Sequence, residues 1–154
     1  MSHDRFVYVT FIRSTPEKIW EALTQPAFQR QYWFGMNIDS DFKAGASWKL
    51  QFEDGRVADE GEVLESDPPR RLVISWRHRM RPELTAEGEA RASFEIEPAE
   101  GSVKLTVLHE IDRSDSKLIQ AVSSGWPSIL SSLKSLLETG EPLVRPALAA
   151  AEVR

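Results

Sequence analysis

Cysteine is missing from this chain of 154 residues, and with it go disulfides, thiol nucleophiles and thiolate metal sites. Basic residues are not in excess: 19 Lys and Arg stand against 24 Asp and Glu, interspersed, for a net charge of -5. No basic face for nucleic acid is advertised. No window approaches the ~18 apolar residues of a membrane span. The opening Met1-Ser2-His3-Asp4-Arg5 lacks the apolar core of an export signal. Three scattered histidines, without a His-x-x-x-His spacing, give no metal-ligand set. A soluble cytoplasmic protein is therefore expected, with no nucleic acid, no membrane, no metal and no cofactor. Repeats and low-complexity segments are also missing, apart from the Ala-rich stretch Pro146 to Arg154. Residues 141–154 are expected to be a frayed tail on a single domain spanning residues 1–140.

What is present is an ordinary globular composition, 41% hydrophobic with 5 Trp and 7 Phe, enough for one sizeable core. Phe6 to Ile12 is rich in β formers and reads as a first strand. Thr15-Pro16-Glu17 starts a short helix: Thr15 caps, Pro16 has no N–H to waste, and Glu17 suits the positive end. A second short helix, aromatic-rich, is predicted over Phe28 to Phe34, with Gly35 ending it. From Trp48 the period changes to two, with Trp48, Leu50 and Phe52 alternating with polar residues. Further strands follow over Val57 to Glu65, Leu72 to His78, Ala90 to Glu97 and Val103 to Ile111. Arg79 to Glu87 reads as an exposed loop.

The last element is the longest. Leu118, Ile119, Val122, Trp126, Ile129, Leu130, Leu133, Leu136 and Leu137 recur three and four apart and form one broad helical stripe. Gly140 supplies the C-terminal cap, and Pro142 stops propagation. Strands joined by short turns, with helices segregated to one side, define an α+β fold.

Three segments carry a resemblance. Thr15-Pro16-Glu17-Lys18-Ile19-Trp20-Glu21-Ala22-Leu23-Thr24, then Gly61-Glu62-Val63-Leu64-Glu65 with Pro68-Pro69-Arg70-Arg71-Leu72-Val73, then Gly125-Trp126 with Leu137-Glu138-Thr139-Gly140, resemble the START-like helix-grip superfamily. Within it the chain is similar to the branch of the C-terminal domain of the Hsp90 ATPase activator. The resemblance runs from about Phe6 to Gly140. It implies a curved antiparallel sheet gripping the long helix around a deep cavity open at one end. It also implies a link to the stress response, although members of this superfamily include carriers, cyclases, hydrolases and chaperone partners. Gly45-Ala46 replaces the double glycine that relatives often carry.

Strand parity and helix phase aim Trp48, Phe52, Trp76, Phe94, His109, Val122, Trp126 and Leu130 at that space, as lining for a ligand or as core. His109 could orient a ligand or act as a general base. His78, among Arg77, Arg79 and Arg81, is expected to end a strand in solvent. Glu60 and Glu62 are read as solvated rather than as an acid/base pair, and Gly61 as a bulge or bend. The Arg cluster, which Arg70 and Arg71 extend, is read as a solvated strand end. Ser124 and Ser128 have no His and Asp in any identifiable arrangement, so no catalytic residue is assigned. Gly125 lets the helix approach the sheet.

The leading expectation is a module that holds a small hydrophobic or amphipathic molecule, aromatic or lipid-like, between sheet and long helix, with no reaction required. The alternatives are a cyclase- or hydrolase-like enzyme using a polar cavity residue, and a chaperone-associated partner. A homodimer stays open.

Overall fold

The computed structural model describes residues 3–143. The Ala-rich stretch expected to fray lies outside the described residues. Among those described, the order is β1 (Asp4–Ile12), α1 (Pro16–Thr24), α2 (Pro26–Tyr32), β2 (Asn37–Asp39), β3 (Ser47–Gln51), β4 (Val57–Asp67), β5 (Arg71–His78), α3 (Pro82–Thr85), β6 (Ala90–Ala99), β7 (Ser102–Ile111) and α4 (Lys117–Thr139). Seven strands make one antiparallel sheet in the order β1-β7-β6-β5-β4-β3-β2. The α+β helix-grip architecture read from the sequence is thus observed.

Local chemistry sets the boundaries. Thr15 Oγ1 accepts a hydrogen bond from Lys18 N–H at 3.2 Å, and Pro16 opens α1 as expected. The second helix starts two residues earlier than predicted, because Pro26 takes its first position. Gly35, at φ 90°, ends it by donating its N–H to the Arg30 carbonyl at 2.9 Å. Strand β2 has only three residues, too short for its period to show. Phe52 falls just outside β3, with the Arg56 guanidinium 4.6 Å from its ring centre.

Arg79 to Glu87 differs from the exposed loop expected. It carries α3, whose Leu84 is fully buried, and the following Glu87 reaches α4. The Glu87 carboxylate accepts from Ser116 Oγ at 2.6 Å and from the N–H groups of Lys117 and Leu118 at 2.7 and 3.3 Å. Ser116 itself caps α4 by accepting from Ile119 N–H. With Asp4 Oδ2 accepting from Ser116 N–H at 3.0 Å, three side chains serve the four orphan donors at this helix start. The helix runs ~35 Å at ~1.5 Å per residue and ends at Gly140, in the left-handed conformation at φ 88°. It continues through Pro127, which the apolar stripe alone does not reveal. Proline cannot donate to the Ser123 carbonyl, so that turn is held by the buried Trp126, Ile129 and Leu130 around it.

Candidate functional site

The inner face of the sheet is built by alternation. On β7, Val103, Leu105, Val107, His109 and Ile111 are all buried while the residues between them are only partly so. On β5, Leu72, Ile74, Trp76 and His78 share that face, and small residues oppose them: Ala92 pairs with Ile74 and Ala90 with Trp76. The small residues on β6 leave the room that the large rings of β5, β7 and α4 occupy.

Those rings form one cluster. Trp76 lies 4.8 Å from Trp48, 4.9 Å from His109 and 5.8 Å from Trp126, ring centre to ring centre. Phe94 and Trp33 meet Trp126 at 5.7 and 5.6 Å, in tilted or edge-on geometries favoured by aromatic quadrupoles. Three of the indole N–H groups have buried acceptors. Trp126 donates to His109 Nδ1 at 3.0 Å, Trp76 to Asp59 Oδ1 at 2.9 Å, and Trp48 to the Ser75 carbonyl at 2.9 Å. Because His109 Nδ1 accepts, its neutral ring carries the proton on Nε2.

His78 corrects the solvent position expected for it. It is fully buried, and its Nδ1 lies 2.8 Å from Asp59 Oδ1, the oxygen that also accepts from Trp76. Asp59 as a carboxylate makes Nδ1 the protonated nitrogen, and Nε2 then has no hydrogen-bond partner among the described residues. Both residues were legible in principle: His78 lies two residues past Trp76, and Asp59 two before Gly61. The Arg cluster beside His78 hid that parity.

Gly61 has a sharper reason than a bend. A Cβ there would lie 2.0 Å from the Ser75 carbonyl oxygen and 2.7 Å from Trp48 Nε1. The Trp48 indole crosses over Gly61 to reach Ser75, and the Ser75 hydroxyl accepts from Glu62 N–H at 2.9 Å. A side chain of β3 thus bonds to β5 across the intervening strand.

Of the predicted site residues, Trp48, Trp76, Phe94, His109, Val122, Trp126 and Leu130 are brought inside, whereas Phe52 is half-buried at the edge. The interior they share is filled. Beside Leu23, Tyr32, Trp33, Phe94, Trp126 and Leu130, between the short helices, the sheet and α4, the remaining void is about 10 Å³. That is about the smallest volume that holds one water, at ~10–15 Å³. The predicted site lacked Tyr32 and Trp33, although they stand in the aromatic-rich segment singled out above. Tyr32 donates its hydroxyl to the Ala22 carbonyl at 2.9 Å, and burial pushes its phenol far above the usual range. Gln29 adds a second clamp, donating to Leu23 O and accepting from Ile38 N–H.

The larger space lies outside. A solvent-open groove of about 510 Å³ runs between the α1–α2 junction, the β2–β3 loop and the β4–β5 turn. Trp20, Pro26, Phe42 and Pro68 give it apolar walls, and Thr24, Ser40, Asp41, Lys43 and Ser66 give it polar ones. Glu60 and Glu62, by contrast, sit on the outer face as expected, with Glu60 3.3 Å from Arg79.

A seven-stranded antiparallel sheet closed over one long C-terminal helix, with an aromatic layer between them, defines a helix-grip domain of the START-like class. The chain belongs to the family described as activator of Hsp90 ATPase homolog 1-like protein, which matches residues 13–138. Among solved structures it is similar to protein MLL2253 from Mesorhizobium loti, with TM-score 0.74 and 24% identity over 87% of this chain and 96% of that one. It is also similar to the Aha1 dimer from Colwellia psychrerythraea, with TM-score 0.70 and 24% identity over 89% and 98%. The third is PFC0360w, an HSP90 activator from Plasmodium falciparum, with TM-score 0.69 and 20% identity over 86% and 95%. No curated protein matches the sequence. At these identities the likeness concerns the fold.

Proposed function

We propose that this domain binds a small amphipathic molecule, and that it does so in the groove beside Trp20 and Phe42 rather than between the sheet and α4. One contrast carries the reading: about 510 Å³ is open at the groove and about 10 Å³ inside. Small-molecule sites measure ~300–1,000 Å³. Opening ~300 Å³ of core at ~24 cal/mol per Å³ costs ~7 kcal/mol, comparable with the ~5–15 kcal/mol that holds a whole domain together. The groove needs no such opening.

An amphipathic ligand suits the lining, since the half-buried Trp20 ring and two prolines supply apolar contact while Lys43 and Asp41 supply charge at the rim. The enzyme alternative needs His109 within reach of substrate, and His109 is fully buried with its Nδ1 taken by an indole. The test is a titration of ¹⁵N-labelled protein with flat aromatic and fatty-acid-like compounds, followed through the backbone amide and indole N–H signals. Shifts at Trp20, Lys43 and Ser66 that vanish in Trp20→Ala support the groove. Shifts centred on the Trp126 indole would return the site to the interior, and a silent panel would end the small-ligand reading.

A further inference from the structure

We propose that the outer face of β1 and β7 is a two-fold interface for a second copy of this chain. The face has an apolar centre on the sheet's edge strand. Val7, Val9 and Phe11 are successive outward positions of β1, exposed to 50%, 45% and 52%. Three large apolar side chains in a row on one strand face form a patch, not scattered exposure. Register then places β7 and β6 beside them in four rows. Arg5 pairs with Glu110 and Glu110 with Arg91; Val7 pairs with Leu108 and Leu108 with Ser93. Val9 pairs with Thr106 and Thr106 with Glu95; Phe11 pairs with Lys104 and Lys104 with Glu97.

This grid complements itself. A two-fold axis lying in the face, across the strands and midway between the Val7 and Val9 rows, reverses strand direction and lays the first row on the fourth. Glu110 then meets Lys104 of the other copy, Arg91 meets Glu97, and Arg5 meets the Phe11 ring, where a guanidinium can stack. The two middle rows meet each other, Val7 on Val9 and Leu108 on Thr106. Each apposed pair of charges is of opposite sign, and Glu95, already bonded to Arg71, falls opposite Ser93. An axis along the strands does not do this, because centred on β7 it would set Glu110 on Glu110 and Arg5 on Arg91. Antiparallel sheet faces pack at about 30°, so twist loosens the outer rows while keeping the centre in contact.

Area sets the strength. Four rows at ~7 Å and three strands at ~5 Å cover ~400 Å², about half of the ~800 Å² per partner of a standard interface. An interface of that size belongs with weak, transient contacts. It does not involve the Trp20 groove, so it stands or falls apart from the ligand reading.

The experiment is sedimentation velocity from about 5 μM to 1 mM on the full chain, with thermal unfolding to check that each variant is folded. The wild type should pass from monomer to dimer across that range, and Val9→Asp should stay monomeric with an unchanged fold. Lys104→Glu and Glu110→Lys should each weaken association about tenfold, and the double variant should regain it through the exchanged pairs. A wild type that is monomeric at 1 mM overturns the proposal. So does a dimer that ignores Val9→Asp, or single-charge effects that simply add in the double variant.

Discussion

Gly61 and Asp59 lie two residues apart on β4 and hold opposite ends of the indole network. At Gly61 even a methyl group meets backbone, the Ser75 oxygen at 2.0 Å, which cannot move without opening the sheet. Gly61→Ala is expected to destabilise the domain by about 2–4 kcal/mol, read as a lower urea midpoint. At Asp59 the question is charge against acceptor. One oxygen accepts from both Trp76 and His78, and an amide oxygen can do the same. Asp59→Ala should cost about 3–5 kcal/mol, because it strands two buried donors, while Asp59→Asn should cost less than half of that. Equal losses in the two variants would show that the carboxylate charge itself is what matters. Parity placed Trp48, Trp76, Phe94 and Trp126 correctly inward, since one strand face must be buried. It could not show that the three indole N–H groups find partners, because those partners come from other strands.

Among the elements, α4 shows most clearly how local and distant chemistry combine. Its stripe, Gly140 stop and length were readable because they are periodic or local. Its start was not, because the Glu87 carboxylate comes from the loop before β6. Burial raises the Glu87 pKa, but hydrogen bonds from Ser116, Lys117 and Leu118 outweigh it and hold the carboxyl below its usual 4.5. A depressed folded pKa stabilises above the unfolded value, so this contribution is complete above about pH 4.5 and fades as pH falls through the lower folded value. Glu87→Gln should therefore cost about 1 kcal/mol near neutral pH, and the gap between variant and wild type should close in acid. A gap independent of pH would mean that the charge plays no part. Pro127 invites the opposite experiment. Restoring an N–H to the Ser123 carbonyl by Pro127→Ala should raise stability by about 1–3 kcal/mol, unless the half-buried ring packs better than the helix bond it displaces, in which case the melting temperature falls.

Across the whole molecule the fold was far more legible than the site. Alternation, capping and the order of elements are properties of the chain, and they led to the α+β class, while the resemblance of three segments pointed to the helix-grip superfamily and its branch. Whether the grip encloses a cavity depends on how side-chain volumes add up across five elements, which no local pattern records. Here Tyr32 at the end of α2 and Trp33 capping it, Trp126 from α4 and the sheet's own rings fill it, so the residues that identify the interior do not leave it open. The groove escaped notice because its walls come from a helix junction and two turns far apart in sequence.

The sheet order has a further consequence in time. Strand β1 pairs with β7 alone, and its partner emerges about 100 residues later. At ~5–20 residues per second a ribosome needs ~5–20 s to supply it. Through that interval Val7, Val9 and Phe11 belong to an unpaired apolar strand. The newborn chain is then at its most vulnerable to misassociation, and holding chaperones acting during synthesis should raise its yield more than they aid refolding of the finished chain from denaturant.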